Sequence, residues 1–161
     1  MVKDIFDEIM DDIQEYSKNI AKFTAIEIRE ELAFTVYDAI EKFYDSYEPE
    51  YYRRHYNNFM KKSYKKYYKN NHDTAFTGGV ILSPELMDDI YRADKEFVFN
   101  LVYAGYHGLD SWSSAEEPTS WGERMQPSPL DLIESKYKEI LRDPNKYSDV
   151  AEKKARKLRK F

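Results

Sequence analysis

Residues 3–45 read KDIFDEIMDDIQEYSKNIAKFTAIEIREELAFTVYDAIEKFYD, and this run decides the fold. Ile5, Ile9, Ile13, Tyr16, Ile20 and Phe23 recur every three or four residues, and Ile26, Ala33, Val36, Ile40 and Phe43 continue the series loosely. That period lines apolar side chains along one side of a helix. No proline or glycine occurs before Pro49, so one helix from about residue 3 to 45, roughly 60 Å at 1.5 Å per residue, fits the pattern. A break near Ser17 to Thr24, giving a helical hairpin, fits it equally. A helix of that length needs a partner along much of its extent.

Working outward, Tyr47-Glu48-Pro49-Glu50 ends the run, because proline lacks the amide proton and moves its predecessor out of helical geometry. Asn70-Asn71-His72-Asp73 reads as a turn, and Thr77-Gly78-Gly79-Val80-Ile81-Leu82-Ser83 as a short strand, so a hairpin is expected between about residues 60–69 and 75–83. Ser83-Pro84 pairs a cap with proline at the first helical position and launches a short helix to about Arg92. Asp94 caps a helix from Lys95 to Ala104 that Gly105 closes. From Gly105 to Pro127 no periodicity is visible, and both tryptophans, Trp112 and Trp121, fall there. A loop of that length with tryptophans is expected to order against something. Ser128-Pro129 then starts a helix through about Arg142, with Leu130, Ile133, Tyr137, Ile140 and Leu141 as its expected buried stripe. Residues 148–161 read as a basic terminal helix or a solvated tail. The sum is an α+β fold: a long N-terminal helical segment (about 3–45), a small antiparallel β-sheet and two or three further helices. Residues 1–147 are expected to form a single domain, since 161 residues suit one core rather than two.

Composition narrows the function. A mean hydropathy of -0.82, with no uncharged apolar run near the ~20 residues a membrane span needs, argues against a membrane protein. The first eight residues are acidic and lack a basic region followed by an apolar stretch, so export is not expected. With no cysteine, disulfides, zinc thiolates and cysteine nucleophiles are excluded. Of 15 tyrosines, nine lie between Tyr37 and Tyr68, and tyrosine combines a large contact area with a polar end that suits interfaces. The overall charge of -5 conceals blocks: residues 1–50 are strongly acidic, 51–70 carry seven basic and no acidic groups, 71–150 are acidic again, and 151–161 are basic. Such blocks can pair within one fold or between copies of the chain.

No HExxH, nucleophile elbow, P-loop or GxGxxG sequence is present, so no catalytic, metal or cofactor assignment is made and an enzyme is not expected. His107 near Asp110 is the best base or metal candidate, but Gly105 and Gly108 beside it read more simply as a tight turn. The basic, tyrosine-rich segment is the stronger signal. Cations interleaved with aromatics can neutralise phosphates and stack bases, which makes Lys61, Lys62, Lys65, Lys66 and Lys69 candidate DNA contacts, with residues 153–160 as a second basic stretch. The negative whole-chain balance runs against a dedicated DNA-binding domain.

Taken in order, Phe43 through Arg54 with its Tyr51-Tyr52-Arg53-Arg54 core, then Gly78-Gly79-Val80, then Val98-Phe99-Asn100 leading to Gly105-Tyr106-His107-Gly108, and finally Gln126-Pro127-Ser128-Pro129-Leu130, form a recognisable succession. It resembles small virion proteins of tailed bacteriophages in the tail-completion and head-to-tail joining (neck) group, over about residues 35–142. The resemblance implies a structural protein without cofactor, made in the host bacterial cytoplasm and built into the virion at the head-tail interface or tail end. It implies a homo-oligomeric ring around the tail axis that contacts other neck, connector or tail-tube proteins. Tyr51, Tyr52, Arg53 and Arg54 are the expected interface residues, with Trp112 and Trp121 as anchors that order on docking, because buried aromatics and arginine dominate interface energetics; ordinary core packing under the long helix fits Tyr51 and Tyr52 equally. The alternative is a nucleic-acid-associated phage protein that binds DNA through residues 51–69. Non-specific contact with passing DNA is compatible with either reading.

Overall fold

The computed structural model describes residues 2–46, 56–72, 74–90, 94–106 and 124–158. In chain order these hold helix α1 (Val2–Asp45), helix α2 (Tyr56–Lys62), strands β1 (Tyr64–His72) and β2 (Ala75–Leu82), a 3₁₀ turn (Pro84–Leu86), and helices α3 (Lys95–Ala104), α4 (Pro129–Arg142) and α5 (Asn145–Leu158). β1 and β2 pair as a two-stranded antiparallel sheet, and the layout is α+β as expected. Contacts sort into two compact units: residues 1–31, 66–79 and 140–161, and residues 32–65 and 80–139.

α1 is one continuous helix of 44 residues, not a hairpin. Within the stretch where a break was allowed, the Thr24 hydroxyl donates to the Ile20 carbonyl at 2.7 Å, which satisfies the side chain inside the helix instead of at a turn. The helix ends as Ser46 donates its backbone N–H to Lys42 and its hydroxyl to Phe43.

The second unit holds the main apolar core. Val36, Ile40 and Phe43 of α1 are fully buried, as their spacing predicts, and with Ala39 they join Phe59 and Met60 of α2, Met87 after the 3₁₀ turn, Val98 and Val102 of α3, and Ile133 of α4. The Phe59 ring lies 5.7 Å from that of Tyr103, and Phe99 4.6 Å from Tyr103. The Tyr103 hydroxyl is sunk in this core and bonded to the Ser63 hydroxyl at 3.0 Å; burial pushes its pKa above the ordinary phenol range. α3 begins where Asp94 accepts the Glu96 N–H and ends at Gly105, whose φ of 81° is the left-handed C-cap that glycine adopts at little cost. α4 opens with a reciprocal capping box: the Asp131 N–H donates to the Ser128 hydroxyl at 3.1 Å, and the Ser128 N–H donates to the Asp131 carboxylate at 3.0 Å. The Ser128 backbone N–H, and after it the Ser128 hydroxyl, hold the Asp131 carboxyl below the usual carboxylate range.

The first unit is built around the N-terminal part of α1. α5 lies against it: the Tyr16 hydroxyl donates to Glu152, and Lys154 pairs with Glu27. The buried side of α5 is Tyr147, Ala151 and Ala155, and the two alanines are small enough to permit close approach. The hairpin also meets α1. A Cβ at Gly78 would fall on the carbonyl of Ala25, so only glycine fits where the two backbones touch.

Four sequence expectations need correction. Residues 60–62 are helical, because Phe59 and Met60 bury on one side of α2 and Ser63 closes it with its N–H on the Phe59 carbonyl, so the hairpin arm starts at Tyr64. Asn70, Asn71 and His72 belong to β1 and not to the turn, with the Asn71 amide bonded to the Thr77 hydroxyl of β2 at 2.6 Å. Of the helix expected from Ser83 to about Arg92, the described residues, to 90, hold a single 3₁₀ turn: Met87 turns to extended backbone and buries its side chain in the core. On α4, Ile133 and Ile140 are buried as expected, but Leu130, Tyr137 and Leu141 face solvent at 43%, 53% and 62% exposure. The covered arc is narrower than the apolar arc.

Candidate functional site

Tyr51, Tyr52, Arg53, Arg54, Trp112 and Trp121 lie outside the described residues, as do His107 and Asp110. The candidate DNA contacts lie inside. Lys61 and Lys62 end α2, where their charge complements the helix dipole, and Lys65, Lys66 and Lys69 sit on β1. On that strand the tyrosines are half-buried and the lysines exposed: Tyr68 stacks on Phe76 of β2 at 5.9 Å, while Lys65 and Lys69 reach solvent. Lys66 is engaged within the chain. Its ammonium donates to Glu30 of α1 at 2.5 Å, and Arg29 donates to the same carboxylate at 2.9 Å. This pairing, led by Lys66, holds the Glu30 carboxyl below its ordinary range. Lys61, Lys62, Lys65 and Lys69 have no ion-pair partner among the described residues, so the basic block is only partly neutralised by the acidic one.

The second feature is the first three turns of α1. Ile5, Phe6, Ile9, Met10 and Ile13 are 56%, 62%, 51%, 39% and 48% exposed, although they continue the stripe whose later residues, Tyr16, Ile20 and Phe23, are half-buried. The sequence predicted the stripe but not its exposure. Periodicity says which side of a helix is apolar; it does not say where the cover ends.

Among the described residues, no three His, Asp or Glu side chains gather closely enough to hold a metal ion, and no helix is long and apolar enough to cross a membrane. A groove of about 670 Å³ runs beside Asp11, Gln14, Glu15, Lys18, Asn19 and Thr74. Its lining is solvent-facing and polar, without the apolar walls that small-molecule sites usually have. What the described surface offers is therefore an apolar helical stripe and several individually exposed lysines, both suited to macromolecular contact. No family model, no curated protein and no solved structure matches the chain.

Proposed function

We propose that this chain is a structural virion protein of a tailed bacteriophage or phage-tail-like particle, completing the tail or joining head to tail as one copy in an oligomeric ring. The observation that carries the proposal is the open apolar stripe on α1, five large side chains in successive turns that suit an assembly surface. The order of short motifs from Phe43 to Leu130 points to the same class of protein. In this role the chain does no chemistry and needs no cofactor. It works by holding sister chains and the neighbouring neck, connector or tail-tube proteins, and its place is the virion after synthesis in the host cytoplasm. Mass spectrometry of gradient-purified particles is the direct test: the chain should be present in several copies per particle, and its absence would overturn the assignment.

The exposed lysines favour one second reading, a nucleic-acid-associated phage protein. Contact through Lys61, Lys62, Lys65 and Lys69 alone is electrostatic and fades steeply with salt. DNA binding by the purified chain that survives physiological salt, and that Lys65→Glu with Lys69→Glu removes, would favour that reading over the first.

A further inference from the structure

Phe6, Ile9, Ile13, Tyr16, Ile20 and Phe23 follow a strict alternation of three and four residues, the a and d positions of a heptad repeat. The repeat has two fates. From Tyr16 onward its side chains are half-buried, with Tyr16 bonded to Glu152 of α5; from Ile5 to Ile13, about 12 Å of helix, it is open to water. Ile5 and Met10 flank the open a and d positions and widen the stripe beyond the seam of a two-helix coiled coil. The acidic residues lie elsewhere. At 100° per residue, Asp7, Glu8, Asp11 and Glu15 project from the opposite side of the helix, and Asp12 stands at the edge of the stripe.

We infer that the open turns of α1 pack against the same turns of other copies of this chain, as a bundle of three or more helices with the acids turned outward. Three observations fix this occupant. Five half-exposed large side chains present on the order of 450 Å² of apolar surface per copy, and a two-helix contact over that length falls short of the roughly 1,000 Å² of a lasting interface. Isoleucine at both a and d favours three- and four-helix packing over pairs, and the apolar flanks give such a bundle its core. The charge distribution leaves the acids in water when like stripes meet, whereas a basic partner would have to approach the opposite side of the helix. A bundle of equivalent helices also closes by rotational symmetry, as a ring requires.

This inference rests on the ring reading only in taking a sister chain as the occupant, and the purified chain tests it without any particle. Because the natural sequence has no cysteine, single cysteines are clean reporters. Ile9→Cys, at the middle of the stripe, should form an intermolecular disulfide under mild oxidation, and Asp11→Cys, on the acidic side, should form several-fold less. In sedimentation, the natural chain should reach the mass of three or more copies, with association strengthening as sodium chloride rises from 50 to 500 mM because screening relieves acid–acid repulsion. Ile9→Asp should remain a monomer with its helix content intact. Equal cross-linking at both positions, association that weakens with salt, or a chain that stays monomeric at every concentration would each overturn the inference. Absence from virions would leave it standing, and a monomeric chain found in virions would overturn this inference alone.

Discussion

The two ends of α1 obey one sequence rule and meet opposite fates. Val36, Ile40 and Phe43 near its C-terminal end are completely buried, whereas Ile5, Ile9 and Ile13 near its start stand about half in water. Both sets recur at helical spacing, and nothing in the residues separates them. The difference lies in what arrives from elsewhere in the chain. α2, α3 and α4 supply Phe59, Val98, Val102 and Ile133 around the late turns, and the described residues supply no comparable cover for the earliest ones. One helix is thus core near one end and open to water near the other, and on the proposed function stability and assembly should respond to mutations at different ends.

The largest expected effect tests that division. Phe43→Ala deletes a fully buried ring and should destabilise by about 3–5 kcal/mol, while Ile9→Ala should change the stability of the dilute chain by less than about 0.5 kcal/mol. Urea unfolding followed by circular dichroism measures both, and comparable losses would erase the distinction between the two ends.

Gly78→Ala comes next. The new methyl would meet the Ala25 backbone, which has no side-chain rotation to yield with, so the hairpin must shift; a loss of about 1–3 kcal/mol is expected in the same assay. A neutral result would show that the hairpin does not hold the early part of α1. Smaller again, Ser128→Ala removes the acceptor for the Asp131 N–H at the start of α4 and should cost about 1 kcal/mol.

The smallest effect concerns the pairing of the acidic and basic blocks. The folded-state pKa of Glu30 is lowered by Lys66, so its contribution is present above the unfolded pKa and is lost as pH falls through the folded one. The pair is solvent-exposed, and Glu30→Gln should cost about 0.3 kcal/mol at pH 7 and progressively less in acid. A loss that does not shrink as pH falls would assign the effect to packing instead of charge.

Local chemistry was legible in the sequence and tertiary cover was not. Asp94, Gly105, Ser128 and the Ser83-Pro84 pair each mark an element boundary because capping and left-handed geometry are properties of a few adjacent residues. α2 escaped notice because seven residues are too short for a periodic signal, and its helix is stabilised by Phe59 and Met60 entering a core built from distant segments. α5 reads as either a basic terminal helix or a solvated tail, because its buried side is mostly alanine, which carries little hydropathy yet lets another helix come close. The α4 stripe shows the converse: Leu130, Tyr137 and Leu141 have the right character and spacing for burial, but the cover stops at Ile133 and Ile140. For the candidate surface, the sequence exposed the basic tyrosine-rich segment directly, while the assignment of Lys66 to Glu30 and the uncovered start of α1 depend on contacts that no spacing encodes. The Tyr51-to-Arg54 and tryptophan anchors fall outside the described residues.

Hydrogen exchange of α1 at low and high protein concentration tests the central claim most directly, because it reads both ends of the helix in one experiment. Amides of residues 36–43 should be strongly protected at every concentration, and those of residues 5–13 should gain protection only as the chains are concentrated. Protection of residues 5–13 that does not change with concentration would contradict an assembly role for this surface.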